Sequence, residues 1–585
     1  MSTITQIQAF LVGKQFNIPP YQRDYAWTTD QVEDIFEDIS EAITASSSHY
    51  LGTIVLSQAN NTVPFDIVDG QQRLSTLMLV IHALLEQIPA SDPQRIGDEF
   101  ILLKNGADLK LNFGKNAAFV SSLLSGTKPT PMTAGQRKLE AAYNYACGRA
   151  NALFANGGQA LIQQWMTTIK QLEIIQFVTL DTGRAIRLFQ TVNDRGLPLS
   201  TMDKAKALLV FYSNVYLGGK HDSDINTHFG KCFEAFDKLK EYVRLPGFEI
   251  DNISRKNFTE DDLLRYHYLA YDYPDIEGGF DYYGTLQTVF ESFLKNTLIK
   301  FSTDPDPKKL RLSSFIEDYI QDFSSFCEAF YDVVSSSTTD TRLYKYFVIL
   351  KVSAALYPLT IRLHQRKLLF TPITGLTIDI LKCLETCDIR VYKTRGTDPA
   401  KDIGNLSHCS QKESLVDIAK SLRSFTDKFM NDSQFTYLLG LDMYDNRALP
   451  IMLLCYDEHI SGAVYTTTIL QHFVKEQITK EHIISQHPSF SPAAHGFTDD
   501  DEFQKHLHTL GNMMLLADHE NKSCSNKSIH AKMTDPNLYQ KSIYADPKQL
   551  SHHYVIGSPP HFNKADVKNR TDTLAKWIKS EWRLW

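Results

Sequence analysis

The stretch Phe65-Asp-Ile-Val-Asp69-Gly70-Gln71-Gln72-Arg73-Leu-Ser-Thr-Leu-Met-Leu-Val80 decides the fold of the amino-terminal part of the chain. A short apolar run reads as a strand, and Leu74, Leu77, Val80, Ile81 and Leu84 then recur at helical spacing, so the sequence predicts a strand passing directly into a helix. The polar cluster between them sits at a strand end and a helix N-terminus. Free backbone N–H groups there favour phosphate, Gly70 permits close backbone approach, and Arg73 offers a planar fork to phosphate oxygens. Asp69 could hold a cation or orient water. The same residues also suit a plain turn, with Gln71, Gln72 and Arg73 as solvated surface.

Outward from this point, Tyr50-Leu-Gly-Thr-Ile-Val-Leu56 and Leu172-Glu-Ile-Ile-Gln-Phe-Val-Thr-Leu180 read as further strands among helical stretches, so residues 1–215 read as α/β. Ile18-Pro-Pro-Tyr21-Gln-Arg23-Asp-Tyr25-Ala-Trp27 sets rigid prolines among aromatic rings and one arginine. That mixture suits a ligand rim or an aromatic anchor for the sheet. Phe189-Gln-Thr-Val-Asn193-Asp-Arg195-Gly196 ends one helix, and Ser200 or Thr201 caps the next with Asp203 in its first turn. Asn193 and Arg195 are left as polar groups able to face a ligand.

From 216 to 465 the apolar residues recur at three and four, as in Leu310–Ile320 and Leu343–Lys351, with a helix start at Thr259-Glu-Asp-Asp262, so this region is expected to be all-helical. The tail, 466–585, holds 11 of the 19 histidines, and its 14 Lys+Arg slightly exceed its 13 Asp+Glu. With a net formal charge of −8 for the whole chain, the tail is where a polyanion is held most easily. Bulk charge excludes a protein that coats nucleic acid, so any such contact is a local patch.

In the tail, Ile478-Thr-Lys-Glu481-His482-Ile-Ile-Ser-Gln486 reads as a strand entering a loop, and Leu510-Gly-Asn512-Met-Met-Leu-Leu-Ala517 as a second strand. Asp518-His-Glu-Asn521-Lys-Ser-Cys-Ser-Asn526 follows, with a polar helix towards Tyr539. An imidazole can deprotonate water near neutral pH, while a carboxylate and an amide oxygen suit a hard divalent cation, so these junctions suit metal-assisted phosphodiester hydrolysis. A histidine buried beside Ile483 and Ile484, with asparagines capping turns, is the plainer alternative. His506, His508, His519 and His530 are candidates for a second metal site.

The 585 residues, 43 % hydrophobic and 22 % charged, are enough for two to four cores. No basic, apolar leader opens the chain, and Leu74–Leu85 is too short and too interrupted to span a bilayer. Eight dispersed cysteines, with Cys383 and Cys387 as the one close pair, fit reduced thiols, so a soluble cytoplasmic protein without membrane partners is expected.

Ile-Pro-x-Tyr-Gln-Arg-x-Tyr-x-Trp, Tyr-Leu-Gly-Thr-Ile-Val-Leu, Asp-Gly-Gln-Gln-Arg and Asn-Asp-Arg-Gly-x-Pro-Leu-Ser stand in this chain in the order seen in the GmrS-type sensor domain, which is ParB/sulfiredoxin-like. The resemblance, over about residues 10–215, implies that Asp69, Gly70, Gln71, Gln72 and Arg73, with Arg23, Asn193 and Arg195, bind and hydrolyse a nucleoside triphosphate. Glu-His-Ile-x-x-Gln, Leu-Gly-Asn and Asn-x4-Asn-x5-Lys in the tail resemble the HNH (ββα-metal) nuclease fused behind such domains. That resemblance implies His482 as general base, Glu481 and Asn521 as metal ligands, and Asn512 as orienting the base or its loop. It further implies Asn526 as a brace of the metal loop and Lys532 as a phosphate contact. The usual proline before the glutamine is Ser485 here. A trailing asparagine replaces the last histidine of the simplest HNH spelling, which makes the metal sphere oxygen-rich and favours Mg²⁺ or Mn²⁺ over zinc.

The whole chain thus resembles the GmrSD/BrxU-like type IV modification-dependent restriction enzymes. The layout expected is a nucleotide-binding sensor (1–215), a helical coupling region (216–465) and a nuclease domain (466–585), cutting modified phage double-stranded DNA under nucleotide control. The resemblance leaves a homodimer open, and both glucosylated hydroxymethylcytosine and phosphorothioate-linked DNA stand as candidate substrates. A nucleotide-switched DNA-binding protein with a non-catalytic HNH fold, and an RNA-cutting abortive-infection toxin, are the alternative readings.

Overall fold

The structure, a computed structural model, describes residues 2–19, 22–45, 49–58, 64–179, 200–272, 293–487, 491–556 and 562–585. The chain packs as two compact units. One comprises residues 1–241 with 259–264 and the described part of 284–328; the other comprises 242–258, the described part of 265–283, and 329–585. The helical stretch 216–465 therefore contributes residues to both units.

The first unit is built on a six-stranded mixed sheet. In chain order its strands are β1 (Ser2–Gln6), β2 (Phe16–Asn17), β3 (Tyr50–Ser57), β4 (Phe65–Asp69), then β7 (Leu111–Asn112) and β8 (Glu173–Thr179), with a small separate hairpin, β5 (Lys104–Asn105) and β6 (Asp108–Leu109), between them. The spatial order is β1-β8-β3-β4-β2-β7. β3 lies parallel to β8 and antiparallel to β4, and its register shifts between Val55 and Leu56. Such a bulge adds twist next to the end of β4.

The helix Gln71–Leu85 is buried on nearly every side, with Ser75 and Thr76 as well sealed as Leu74 and Val80. The apolar spacing marks one face of this helix. Burial on the others comes from the helices packed around it, among them Ala134–Gln171, which breaks at Gly158 (φ 59°). Ile7, Phe10, Phe36, Ile54, Leu77 and Trp165 belong to one continuous core beneath the sheet.

The second unit is helical apart from one strand pair. Leu449–Ser461 and Lys564–Glu581 pack near β9 (Ile478–His482) and β10 (Met513–Ala517), which are antiparallel with His482 opposite Met513 and Glu481 opposite Met514. Helix Asp518–Cys524 then lies against both strands. The polar helix expected after Asn526 is Ile529–Thr534, shorter than a run to Tyr539, and the chain turns at Ser525 (φ 42°) between it and Asp518–Cys524. Among the described residues no helix is long and apolar enough to cross a membrane.

Candidate functional site

At the end of β4 the chain turns through Gly70 at φ +89°, where a Cβ would come within 3.1 Å of the Thr53 carbonyl and the Ile54 side chain. Glycine is needed there on both counts. The two glutamines that follow are buried, and they point back to the segment 22–26. Gln72 accepts from the Ala26 backbone N–H at 2.8 Å and donates to the Asp24 carbonyl at 3.2 Å. Gln71 donates to the Arg23 carbonyl, and Gln22 donates to the carbonyls of Ile67 and Val68. The Tyr25 and Thr76 hydroxyls share a hydrogen bond of 2.6 Å. Two motifs far apart in sequence are thus one interlocked structure.

This interlocking engages two of the residues expected to bind nucleotide. Gln72 uses both ends of its amide inside the protein and braces the segment 22–26. Gln71 likewise spends its donor on Arg23, while its buried Oε1 has no partner among the described residues. The cavity beside them, lined by Gln22, Arg23, Asp24, Gln71, Lys115 and Asn116, measures about 20 Å³. That is room for one water.

Asp69 and Arg73 flank these glutamines in the motif. Arg73 donates to the Thr53 carbonyl at 3.1 Å and lies flat over Gly52. Burial pushes the Asp69 carboxyl up to about 6, against the pull of the Gly70 N–H and of Arg73 and Arg23, with Asp203 adding to the rise. Arg23 stands 3.9 Å from both Asp203 and Glu260. Glu260 comes from a different part of the chain, and no local pattern connects it to the motif. Asn193, Arg195 and Tyr21 lie outside the described residues.

In the second unit, strand alternation separates the two residues at the end of β9. Glu481, 4 % exposed, accepts from the Tyr539 hydroxyl at 2.7 Å and pairs with the Lys532 ammonium at 2.7 Å. Burial raises its carboxyl, and Lys532 opposes the rise. Lys532 also donates to the carbonyls of His482 and Ile483 and is 1 % exposed. Lys532, expected from the sequence as a phosphate contact, here braces Glu481 and the end of β9.

His482 faces the other way. Its Nε2 lies 3.0 Å from His508 Nδ1 and its Nδ1 lies 3.3 Å from the Gln486 amide nitrogen. The Tyr444 ring stands 4.9 Å from both imidazoles, and Lys480 lies 4.1 Å over that tyrosine. Burial, with His508, Lys532 and Lys480 adding to it, pushes the His482 imidazole down to about 3, so the ring is neutral across physiological pH. Both of its ring nitrogens have partners within the protein.

Asn512 is buried and holds the loop: it accepts from the Ile484 N–H and donates to the carbonyls of Ile484 and Leu507. Asn521, on helix Asp518–Cys524, donates to the Thr479 hydroxyl and the Lys480 carbonyl, both at 3.0 Å, and its amide oxygen accepts nothing among the described residues. Asn526 is exposed beyond that helix. The other histidines do not converge. His506 bonds the Glu502 carbonyl, His519 pairs with Glu476, and His530 is exposed. Among the described residues no three His, Cys, Asp or Glu side chains form a metal-holding group.

Residues 7–210 match the family model of the GmrSD restriction endonuclease N-terminal domain, and residues 441–577 match that of the C-terminal domain. No curated protein matches the chain. The first match contains the interlocked motifs around Asp69 and Arg73, and the second contains both strands and the helix that bear His482, Asn512 and Asn521. With more than half of its length covered by the two halves of one enzyme, in order, the chain belongs to the GmrSD restriction endonucleases.

Proposed function

We propose that this restriction endonuclease cuts modified DNA at the β9–β10 centre with the help of Mg²⁺ or Mn²⁺, and that a nucleoside triphosphate bound and hydrolysed at Asp69–Arg73 controls the cut. The observation that carries the reading is His482: a buried, neutral imidazole at a strand end, fixed by hydrogen bonds at both ring nitrogens, on the strand–strand–helix arrangement that an HNH centre uses. Histidine is the side chain that most often serves as general base.

A hard cation would draw on Glu481 and Asn521, with the Glu481 carboxylate now held by Lys532 and Tyr539. The Asn521 amide has spent its donors and keeps its oxygen, and Glu481 supplies one carboxylate. Magnesium is usually held by one or two protein oxygens, with waters and substrate phosphates completing its sphere. When bound, the cation would polarise the scissile phosphate and lower the pKa of water. Lys532 serves as counter-ion to Glu481 and opposes the effect of burial on its carboxyl. Asn512 fixes the loop after β9 and so sets where His482 stands.

The test is to incubate the protein with glucosylated DNA, phosphorothioate DNA, plain DNA and RNA, with and without Mg²⁺ and nucleotide, beside His482→Ala. Metal-dependent cutting of modified DNA, reduced at least ~10²-fold in His482→Ala, is expected because a positioned base typically contributes that much. Salt is held fixed, since phosphate contacts dominate affinity. Equal cutting by wild type and His482→Ala refutes the base, equal cutting of plain and modified DNA refutes the specificity, and preference for RNA refutes the substrate.

A further inference from the structure

We propose that Lys480 is a DNA-backbone contact of the β9–β10 centre, its ammonium meeting a phosphate beside the bond that is cut. The inference rests on the reading of that centre as the place of the cut.

Strand geometry puts the cation on the right face. Lys480 and His482 are two apart on β9, so the pleat sends both side chains to one side, roughly 7 Å apart along the strand, and Glu481 to the other. The contacts agree with the pleat. The Tyr444 ring packs 4.9 Å from the His482 imidazole, and the Lys480 ammonium lies 4.1 Å from the centre of that same ring. The ammonium also donates to the Tyr444 carbonyl. Tyr444 is fixed in turn by its neighbour Met443, whose N–H donates to the His508 carbonyl at 2.9 Å. One tyrosine therefore seats the lysine and touches the histidine.

The partners of this cation are all neutral. Among the described residues Lys480 spends one of its three donors on the Tyr444 carbonyl, turns its charge to the ring, and pairs with no carboxylate. Lys532, on the Glu481 side of the strand, is 1 % exposed and has its charge matched by that carboxylate at 2.7 Å. Lys480 is half-buried, so its ammonium reaches solvent while its stem is held. A lysine is a compact point charge suited to a phosphate, and one without a counter-charge draws an anion more strongly than one already paired. The end of β9 thus carries one neutralised lysine and one left for a polyanion.

The experiment measures binding of a fluorescent duplex in EDTA, so that it is not cut, over a series of salt concentrations. Wild type, Lys480→Gln and Lys480→Arg are compared. Each phosphate contact adds about 0.9 to the slope of log K against log salt, so Lys480→Gln is expected to lower the slope by about one. The loss is expected on plain and modified duplex alike, because a phosphate carries no sequence information. Lys480→Arg keeps the charge and is expected to keep the slope. A lysine that only braced Tyr444 would move the melting temperature and leave the slope alone. In the wild-type protein, bound duplex is expected to shield Lys480 from acetylation, read by mass spectrometry, which needs no variant to fold. A wild-type slope in Lys480→Gln, or equal acetylation with and without duplex, overturns the proposal. His482→Ala with Mg²⁺ runs beside them: if it cuts like wild type, the reading of the centre has failed, whereas an inactive His482→Ala beside an unchanged slope in Lys480→Gln removes Lys480 alone.

Discussion

The Lys532 ammonium lies 2.7 Å from the Glu481 carboxylate although the two side chains are only 1 % and 5 % exposed. Removing one partner of such a pair leaves an uncompensated buried charge, a loss of about 3–5 kcal/mol. Lys532→Met is therefore expected to destabilise the protein by about that much in chemical denaturation, and adding Glu481→Gln is expected to restore much of the loss. A direct phosphate contact would act differently. It would leave stability alone and reduce the salt dependence of DNA binding.

Gly52 carries a second consequence of close packing. Its φ is +126°, and a Cβ there would stand 2.6 Å from the Arg73 guanidinium carbon. Gly52→Ala is expected to push Arg73 off its seat on Thr53 and to weaken nucleotide binding several-fold. Gly13→Ala separates this from backbone strain, because Gly13 also has a positive φ, +68°, but nothing lies within 4 Å of a Cβ there. Titration with a fluorescent nucleotide checks the pair. Equal losses in both variants would mean that strain, and not Arg73, carries the effect.

What could be read from sequence divides along the range of the interactions. The strand before Asp69, the helix after Gly70 and the two tail strands are local patterns of apolar spacing, and the structure has them, the second tail strand starting at Met513 rather than Leu510. The braces are not local. The sequence does not show that residues 22–26 lie against Gln71 and Gln72, or that Glu481 and Tyr539 stand around Lys532. His508 stands two residues from His506 and reads as half of a metal pair. The helix Asp500–Leu507 ends between them, so His506 bonds back to Glu502 while His508 turns to His482. Nothing in the spacing alone signals that difference.

Asp69 gives the first unit a pH dependence of definite sign. Its carboxyl is raised from an ordinary 3.8 to about 6 in the fold, so folding takes up a proton between those values. Stability from this residue is therefore present in full below about pH 4 and is lost as pH rises through about 6. Glu260 and Asp237 are raised too, so the measurement is the difference between wild type and Asp69→Asn. Across pH 4 to 7 wild type is expected to lose stability relative to Asp69→Asn, with the loss levelling off above pH 7. A constant difference in urea denaturation would mean that Asp69 is not buried as described.

The two ends of the chain are expected to fail separately. Arg73 and Asp69 belong to one compact unit, and His482 and Asn521 to the other. If Arg73 holds a nucleotide phosphate, Arg73→Ala loses a charge-assisted contact of about 1.5–3 kcal/mol, roughly ten- to a hundred-fold in nucleotide affinity. The β9–β10 centre is untouched by that change, so Mn²⁺ binding is expected to stay at the wild-type level. His482→Ala is expected to do the reverse, turning over nucleotide normally while failing to cut DNA. Both readouts are needed for both variants, with melting temperatures to establish that each is folded. Should folded His482→Ala lose nucleotide turnover as well, the two centres are one coupled machine that cannot be broken at one end. Should Arg73→Ala bind nucleotide like wild type, the phosphate is held elsewhere than at the end of β4.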